Sequence, residues 1–213
     1  ATPYALWLAI MSEYAEKLGA NWNQTSLKFW LIETDIGQGN LPVGFSLETN
    51  KLLNTEFIMT NCALCHTGEL NGQVISGLGA RKLKINSMNN TLMTIVKDQN
   101  FNAETMVPAA KKAAKENDLR WSLRTSQAVK VAIKYMKELA DRSFSIDAGP
   151  GRNTPIEFAK LRTGISVEPP YGFVRFPPIW TYKRRQTFGW DGSMSGDLKL
   201  AGASVEFNKG MTS

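Results

Sequence analysis

Hydrophobic positions in the first part of the chain recur at the spacing of helices. Between residues 3 and 18 an apolar side chain returns every three or four positions, and the pattern ends at Gly19. This spacing puts the apolar side chains on one face and predicts an amphipathic helix over 3–18. The same pattern predicts further helices over 24–32, 87–98, 108–117 and 119–142. We therefore expect a mainly α fold.

Glycine and proline mark two stretches that the helical pattern does not reach. The first, over 68–80, is glycine-rich and predicts a loop with a short strand at 73–75. The second begins near Phe144, where the composition shifts towards glycine, proline and aromatic residues. We expect one domain over 1–213, with a helical part at about 1–143 and a loop-rich part at about 144–213.

The two cysteines and the only histidine lie together in the segment Asn61-Cys62-Ala63-Leu64-Cys65-His66-Thr67-Gly68. The spacing Cys-x-x-Cys-His is the attachment signature of c-type haem. On a helical turn, positions i, i+3 and i+4 share a face, so both thiols can bond the porphyrin vinyl groups while the imidazole reaches the iron. The sequence thus predicts one covalent haem c on Cys62 and Cys65, with His66 as the proximal ligand of the iron. The loop-rich second part is expected to close over this haem.

Three other functions of the two cysteines and the histidine are less well supported by the sequence. A thioredoxin-like dithiol needs a strand-to-helix context and has no use for the histidine. A zinc site would have three ligands here and lacks an obvious fourth cysteine or histidine. A disulfide across two intervening residues would be strained.

The distal side of the haem cannot be filled by a second histidine of this chain. Met106 and Met194 are the candidate distal ligands among the eight methionines, although a packing role is the common one for methionine. Arg81, followed by Lys82 and Lys84, is a candidate for neutralising the haem propionates; solvated surface charge is the alternative.

Composition and charge further narrow the class of protein. The chain is 43% hydrophobic and 21% charged, which is typical of a soluble globular protein, and no apolar run is long enough for a membrane span. The net charge of +6 is spread out rather than packed in blocks, which disfavours nucleic acid and favours an acidic redox partner protein. A small residue at position 1 is typical of a removed signal peptide, so we expect export to the periplasm or an equivalent compartment.

Segments on both sides of the haem motif carry a family resemblance: Leu41-Pro42-Val43-Gly44-Phe45, Gly149-Pro150-Gly151-Arg152, Arg175-Phe176-Pro177-Pro178-Ile179-Trp180 and Phe188-Gly189-Trp190-Asp191-Gly192. Together with Cys62–His66, their order resembles the di-haem cytochrome c peroxidase superfamily, and is most similar to the branch that includes rubber oxygenase-like proteins. The resemblance covers most of this chain but only the N-terminal haem half of such a protein. It implies that Trp190 lies near the haem edge, on the route between two haems; a core tryptophan is the alternative.

The chain departs from this family in two respects. Family peroxidases have a glutamine about ten residues and a glutamate about twenty residues after this tryptophan, and both line the distal pocket. The corresponding positions here are near Leu200 and Gly210, with Glu206 close by, so the acid/base pair of the peroxidases is not expected. No second haem motif follows, so the second haem of the family would belong to a further segment or a separate subunit, or that half has been lost.

Two functions follow as expectations. The first is an oxidoreductase of the di-haem peroxidase/oxygenase type, whose haem iron activates dioxygen or peroxide. The second is a mono-haem electron-transfer cytochrome with His/Met ligation, which suits a carrier and could be a subunit of a larger redox complex.

Overall fold

The helices of the first part form close to where apolar periodicity predicts them, although the helix expected over 3–18 is interrupted at Tyr14. The computed structural model describes residues 1–33, 41–140, 148–153, 173–176, 178–179, 187–188 and 194–195. Within these residues the helices are α1 (Tyr4–Glu13), α2 (Ala15–Leu18), α3 (Trp22–Phe29), α4 (Ala63–His66), α5 (Ile85–Lys97), α6 (Ala103–Glu116) and α7 (Leu123–Ala140).

Short antiparallel strands accompany the helices. They are β1 (Thr2–Pro3), β2 (Phe45–Asn50), β3 (Thr55–Thr60), β4 (Thr67–Leu70), β5 (Gln73–Ser76), β6 (Arg152–Asn153), β7 (Val174–Arg175), β8 (Thr187–Phe188) and β9 (Met194–Ser195). One sheet has the order β1-β3-β2, and the other strands form the pairs β4-β5, β6-β7 and β8-β9. Helices take about half of the described residues, so this part of the chain is a mixture of helices and small sheets rather than purely α-helical.

The core lies between the helices and the three-stranded sheet. Helix α1 packs on α6 and on β3, while α7 packs on α5 and α6. Fully buried side chains on these elements include Leu6, Ile10, Ile95, Met106 and Val129. Burying such side chains is the dominant favourable contribution to folding.

An aromatic cluster joins this core to the strand that precedes the cysteine motif. The rings of Trp7 and Trp22 stack with their centroids 5.4 Å apart, and the ring of Phe45 lies 5.0 Å from that of Trp22. Because Phe45 opens β2, this cluster fixes the backbone at Gly44, which in turn contacts the cysteine motif.

Polar caps explain where the helices differ from the expected bounds. The predicted helix over 108–117 begins earlier, at Ala103, because the Asn102 side chain accepts hydrogen bonds from the backbone N–H groups of Glu104 and Thr105. Pro108 therefore lies inside α6, although proline is commonest in the first turn of a helix. Likewise, the Asn21 side chain accepts from Gln24, so that α3 begins at Trp22 instead of 24.

The strands were largely missed by the sequence-based expectation. The predicted strand at 73–75 is confirmed as β5, which pairs with β4 through a turn at Asn71 and Gly72, both with positive φ. The longer β2–β3 hairpin was not predicted. The described residues contain no helix long and apolar enough to cross a membrane.

Candidate functional site

The cysteine motif forms a single helical turn. The backbone N–H of Cys65 donates to the carbonyl of Cys62 at 3.3 Å, and that of His66 donates to the same carbonyl at 3.0 Å. Cys62 has helical φ and ψ and caps α4, which ends at His66. The expected i, i+3, i+4 relation of Cys62, Cys65 and His66 is thus the one that the backbone adopts.

Two neighbours hold this turn in place. The Asn61 side chain accepts a hydrogen bond from the N–H of Ala63 at 2.9 Å, which satisfies a donor that the helix leaves open. The N–H of Asn61 donates to the carbonyl of Gly44 at 2.8 Å. Gly44 has a φ of +87°, and a Cβ there would lie 2.2 Å from the backbone nitrogen of Leu64. Only glycine therefore lets the 41–45 segment lie directly against the turn.

The two thiols are free and differ in environment. Cys62 is exposed, whereas Cys65 is half-buried against the core. Burial, with a smaller contribution from the neighbouring Cys62, raises the pKa of the Cys65 thiol to about 12. A thiol with its pKa raised in this way stays protonated at neutral pH, so Cys65 itself is a poor nucleophile.

The three donor side chains do not converge on a common point. Among the described residues, which include Cys62, Cys65 and His66, no group of three His, Cys, Asp or Glu side chains is placed to hold one metal ion. A zinc ion needs its ligands gathered around one centre. A porphyrin, in contrast, would take two thiols at separate edge positions and an imidazole at its centre. The residues of the turn fit a covalent haem better than a single metal ion.

The chain beyond the turn folds back along it. Strands β4 and β5 follow His66 directly, and the N–H of Gly77 returns to the carbonyl of His66 at 2.7 Å. We call residues 77–84 the strap. The N–H of Ala80 in the strap donates to the carbonyl of Cys65 at 2.9 Å. The strap therefore keeps a fixed position beside the cysteine motif.

The three cations of the strap have different surroundings. The Lys82 ammonium lies 3.6 Å from the Glu69 carboxylate and 5.6 Å from the centre of the Trp30 ring, and that of Lys84 lies 5.7 Å from the same ring. Arg81 instead lines a separate cavity that contains two further arginines, Arg152 and Arg175. Of the three cations, Arg81 is thus the one that faces a space able to hold an anionic group.

Of the remaining predicted site residues, the described structure locates the side chain of Met106 alone. Met106 is 2% exposed and lies in the core on α6. It lines a cavity with residues such as Tyr14 and Lys112, and none of the residues described as lining that cavity belongs to the cysteine motif. Met194 belongs to β9, whose backbone pairs with β8; Trp190 lies outside the described residues, as do Leu200, Glu206 and Gly210.

Several residues of this site were not singled out individually by the sequence. Asn61 acts through one side-chain hydrogen bond, and Gly44 through a close backbone contact. The signals that could have identified them are an asparagine directly before a short helix and a glycine at a turn. Arg152 and Arg175 have no local signal, because they lie far from Arg81 in sequence.

Comparison with models of known protein families, with curated proteins and with solved structures gives no match.

Proposed function

We propose that this chain is a c-type haem redox protein with one haem bound covalently to Cys62 and Cys65 and with His66 as an axial ligand of the iron. The observation that supports the proposal is the single helical turn, whose backbone hydrogen bonds place Cys62, Cys65 and His66 at positions i, i+3 and i+4. When bound, haem supplies one-electron redox chemistry, while the protein positions it and sets its surroundings.

The chain's own residues have separate tasks in this proposal. Gly44 and Asn61 hold the turn, so that the thiols and the imidazole keep their relative positions. The strap fixes the other side of the motif through the carbonyls of Cys65 and His66. The wider assignment, a cytochrome c-type haem domain whose loop-rich second part closes over the haem, is part of the same proposal.

Between the two functions we favour an oxidoreductase related to the N-terminal half of di-haem peroxidase/oxygenase-like cytochromes. The position of Met106 supports this choice, since its side chain is packed in the core on α6. A carrier with His/Met ligation would then depend on Met194. A second haem-bearing segment or subunit and an acidic redox partner belong to the proposal as expected partners.

The first test is to express the chain with an export signal and the machinery for covalent haem attachment, then to count haem by the pyridine haemochrome assay. One haem per chain is expected, and it should resist extraction by acidified organic solvent. Directing the same chain to the cytoplasm should abolish attachment, which tests the proposed export. An exported wild-type chain without covalent haem would contradict the proposal.

Variants assign the roles of the three side chains. Cys62→Ala with Cys65→Ala should lose covalent haem, whereas His66→Gly should keep the thioether bonds and change the ferric spectrum. Val131→Ala, at an exposed position of α7, is the control and should leave both the covalent haem and the ferric spectrum unchanged. Covalent haem that survives loss of both cysteines would overturn the attachment site.

Carbon monoxide distinguishes the two functions. An iron open on its distal side should bind carbon monoxide rapidly in the ferrous state, as the oxidoreductase function requires. A low-spin spectrum that carbon monoxide does not change would indicate two strong protein ligands and a carrier. Met194→Ala would then identify the ligand, with Met106→Ala as its comparison.

A further inference from the structure

Three arginines from distant parts of the chain line one open cavity beside the strap. Arg81 comes from the strap itself, Arg152 from β6 and Arg175 from β7. The cavity has a volume of about 560 Å³. Its described lining contains these three cations and no carboxylate, so this described part of the lining is strongly positive. We call this group the arginine pocket.

Two of these arginines are placed where like charges repel. Arg152 and Arg175 are directly opposite each other in the antiparallel pair β6-β7. Side chains in such positions have Cβ atoms about 4.5–5.5 Å apart, and like charges there destabilise the pair. None of the three arginines forms a salt bridge with another described residue. A bound anion would remove this repulsion.

Close backbone contacts bring the three segments together. Gly151, with a φ of +68°, donates its N–H to the carbonyl of Leu83 at 2.8 Å, and a Cβ there would lie 2.3 Å from the carbonyl oxygen of Arg81. Gly79 lies equally close to the Phe176 carbonyl, and the N–H of Phe176 donates to Gly151 at 3.3 Å. The three arginines are therefore attached to backbone segments whose close approach requires glycine at positions 79 and 151.

We propose that the arginine pocket binds an oxyanion of about two negative charges, as a pair of carboxylates or as a phosphate. Guanidinium groups form paired hydrogen bonds with both of these anions. One source is the pair of propionates of a haem on Cys62 and Cys65, since Ala80, next to Arg81, is hydrogen-bonded to Cys65. This first source rests on the proposed function. The second source is a free phosphate or small dicarboxylate, which requires no haem.

The test compares Arg152→Gln and Arg175→Gln with wild type in the full, haem-loaded chain. Arg120→Gln is the matched control, because Arg120 is exposed and lines a different cavity. Binding of inorganic phosphate is measured by calorimetry at constant ionic strength. The reduction potential of the haem is measured over a range of pH, and circular dichroism verifies the fold.

Each source gives its own result. If the pocket holds the propionates, phosphate does not bind to the loaded chain. The Gln variants then have a lower potential, and the pH at which the potential begins to fall moves upward, because removal of a cation favours ferric iron and protonated propionates. If the anion is free, wild type binds phosphate, and each Gln variant weakens binding roughly tenfold or more.

The proposal is overturned if the Gln variants match Arg120→Gln in both measurements. Arg175→Lys keeps the charge and should therefore keep part of the wild-type behaviour in both measurements. It serves as a second variant in case Arg175→Gln fails to fold. Haem content is counted separately on the same samples. A chain without haem that still binds phosphate through the arginines would contradict the proposed function alone, while a haem-loaded chain indifferent to the arginines would contradict the pocket alone.

Discussion

The helical part of the chain and the strap region beside the cysteine motif are held together in different ways. In the helical part, side chains such as Leu6, Ile95 and Phe101 are wholly removed from solvent. In the strap region, Ala80 and Leu83 are also buried, but backbone hydrogen bonds and the close approaches at Gly79 and Gly151 join the segments to one another. Side-chain burial stabilises the first region, and backbone fit determines the shape of the second.

This difference predicts that mutations in the two regions have different effects. Loss of a buried side chain should lower the stability of the whole molecule, because the core is shared by most helices. Loss of a glycine contact should disturb the cysteine motif and leave the helices largely folded. The predictions below test this separation, starting with the largest expected effect.

Phe101→Ala should be the most damaging single change. Phe101 is fully buried between α5 and α6, and its ring lies 6.4 Å from that of Tyr14. Replacing a buried phenylalanine by alanine costs about 3–5 kcal/mol, because it removes apolar contacts and leaves a cavity. Urea unfolding monitored by circular dichroism measures the loss. Val131→Ala, at a side chain 68% exposed on α7, is the control and should change stability little. Equal effects of the two changes would contradict the importance of this core.

Gly44→Ala should mainly affect the cysteine motif. A Cβ at Gly44 would collide with the backbone of Leu64, and the positive φ adds strain. Gly72→Ala is a matched control, because Gly72 also has a positive φ, of +77°, but nothing lies within 4 Å of its Cβ position. We expect about 1–3 kcal/mol of backbone strain in both variants. Only Gly44→Ala should also lower haem attachment while the helical signal is retained.

A similar loss of haem attachment in both variants would show that strain alone, without the collision at Leu64, accounts for the effect. Retention of full attachment by Gly44→Ala would show that the turn does not depend on the 41–45 segment.

The same comparison explains how far the sequence could predict this molecule. Helices α1, α5, α6 and α7 were predicted because burial of one face leaves a periodic pattern in the sequence. The ends of these helices were predicted less well, since a cap depends on the hydrogen bonds of one side chain, such as those that Asn102 accepts from Glu104 and Thr105. The β2–β3 hairpin has weak alternation, with mostly half-exposed side chains, and was missed.

For the candidate site, the cysteine spacing alone predicted the helical turn. The arrangement around it could not be predicted, because Gly44, Gly79 and Gly151 act through contacts between segments far apart in sequence. Arg81 was selected as a cation near the motif, but its association with Arg152 and Arg175 depends on the pairing of β6 with β7. A periodic pattern in the sequence contains no information about which strands pair.

Asn61→Ala should have a smaller effect than Gly44→Ala. It removes the side-chain acceptor for the N–H of Ala63 and should cost about 1 kcal/mol, as capping substitutions do. Asn23→Ala, at an exposed position of α3, is the control and should be close to neutral. Unfolding in urea measures the stability of both variants. If Asn61→Ala is as neutral as the control, the hydrogen bond at the start of the turn is not needed for stability.

The last effect, which is absent near neutral pH, concerns the pH dependence of the haem-free chain. The pKa of Cys65 is raised from its ordinary value of 9.0 to about 12, first by burial and then by Cys62. The unfolded chain therefore loses this proton at a lower pH than the folded chain. The stabilisation linked to Cys65 is complete below pH 9.0 and declines as the pH rises towards about 12. Unfolding curves across this range should show the decline in wild type and a flatter profile in Cys65→Ser.

Alkylation measures the same thiol directly. In Cys62→Ser, the rate at which iodoacetamide modifies Cys65 should still rise well above pH 9.0, because burial, the larger cause of the raised pKa, is retained. Mass spectrometry follows the reaction. A rate that levels off near pH 9.0 would show that the thiol is solvated and that the turn opens readily. In the haem-loaded chain the sulfur would be a thioether without a proton to lose, so both the alkylation and the decline in stability due to Cys65 should disappear. That loss would link the local chemistry of the turn to the stability of the whole molecule.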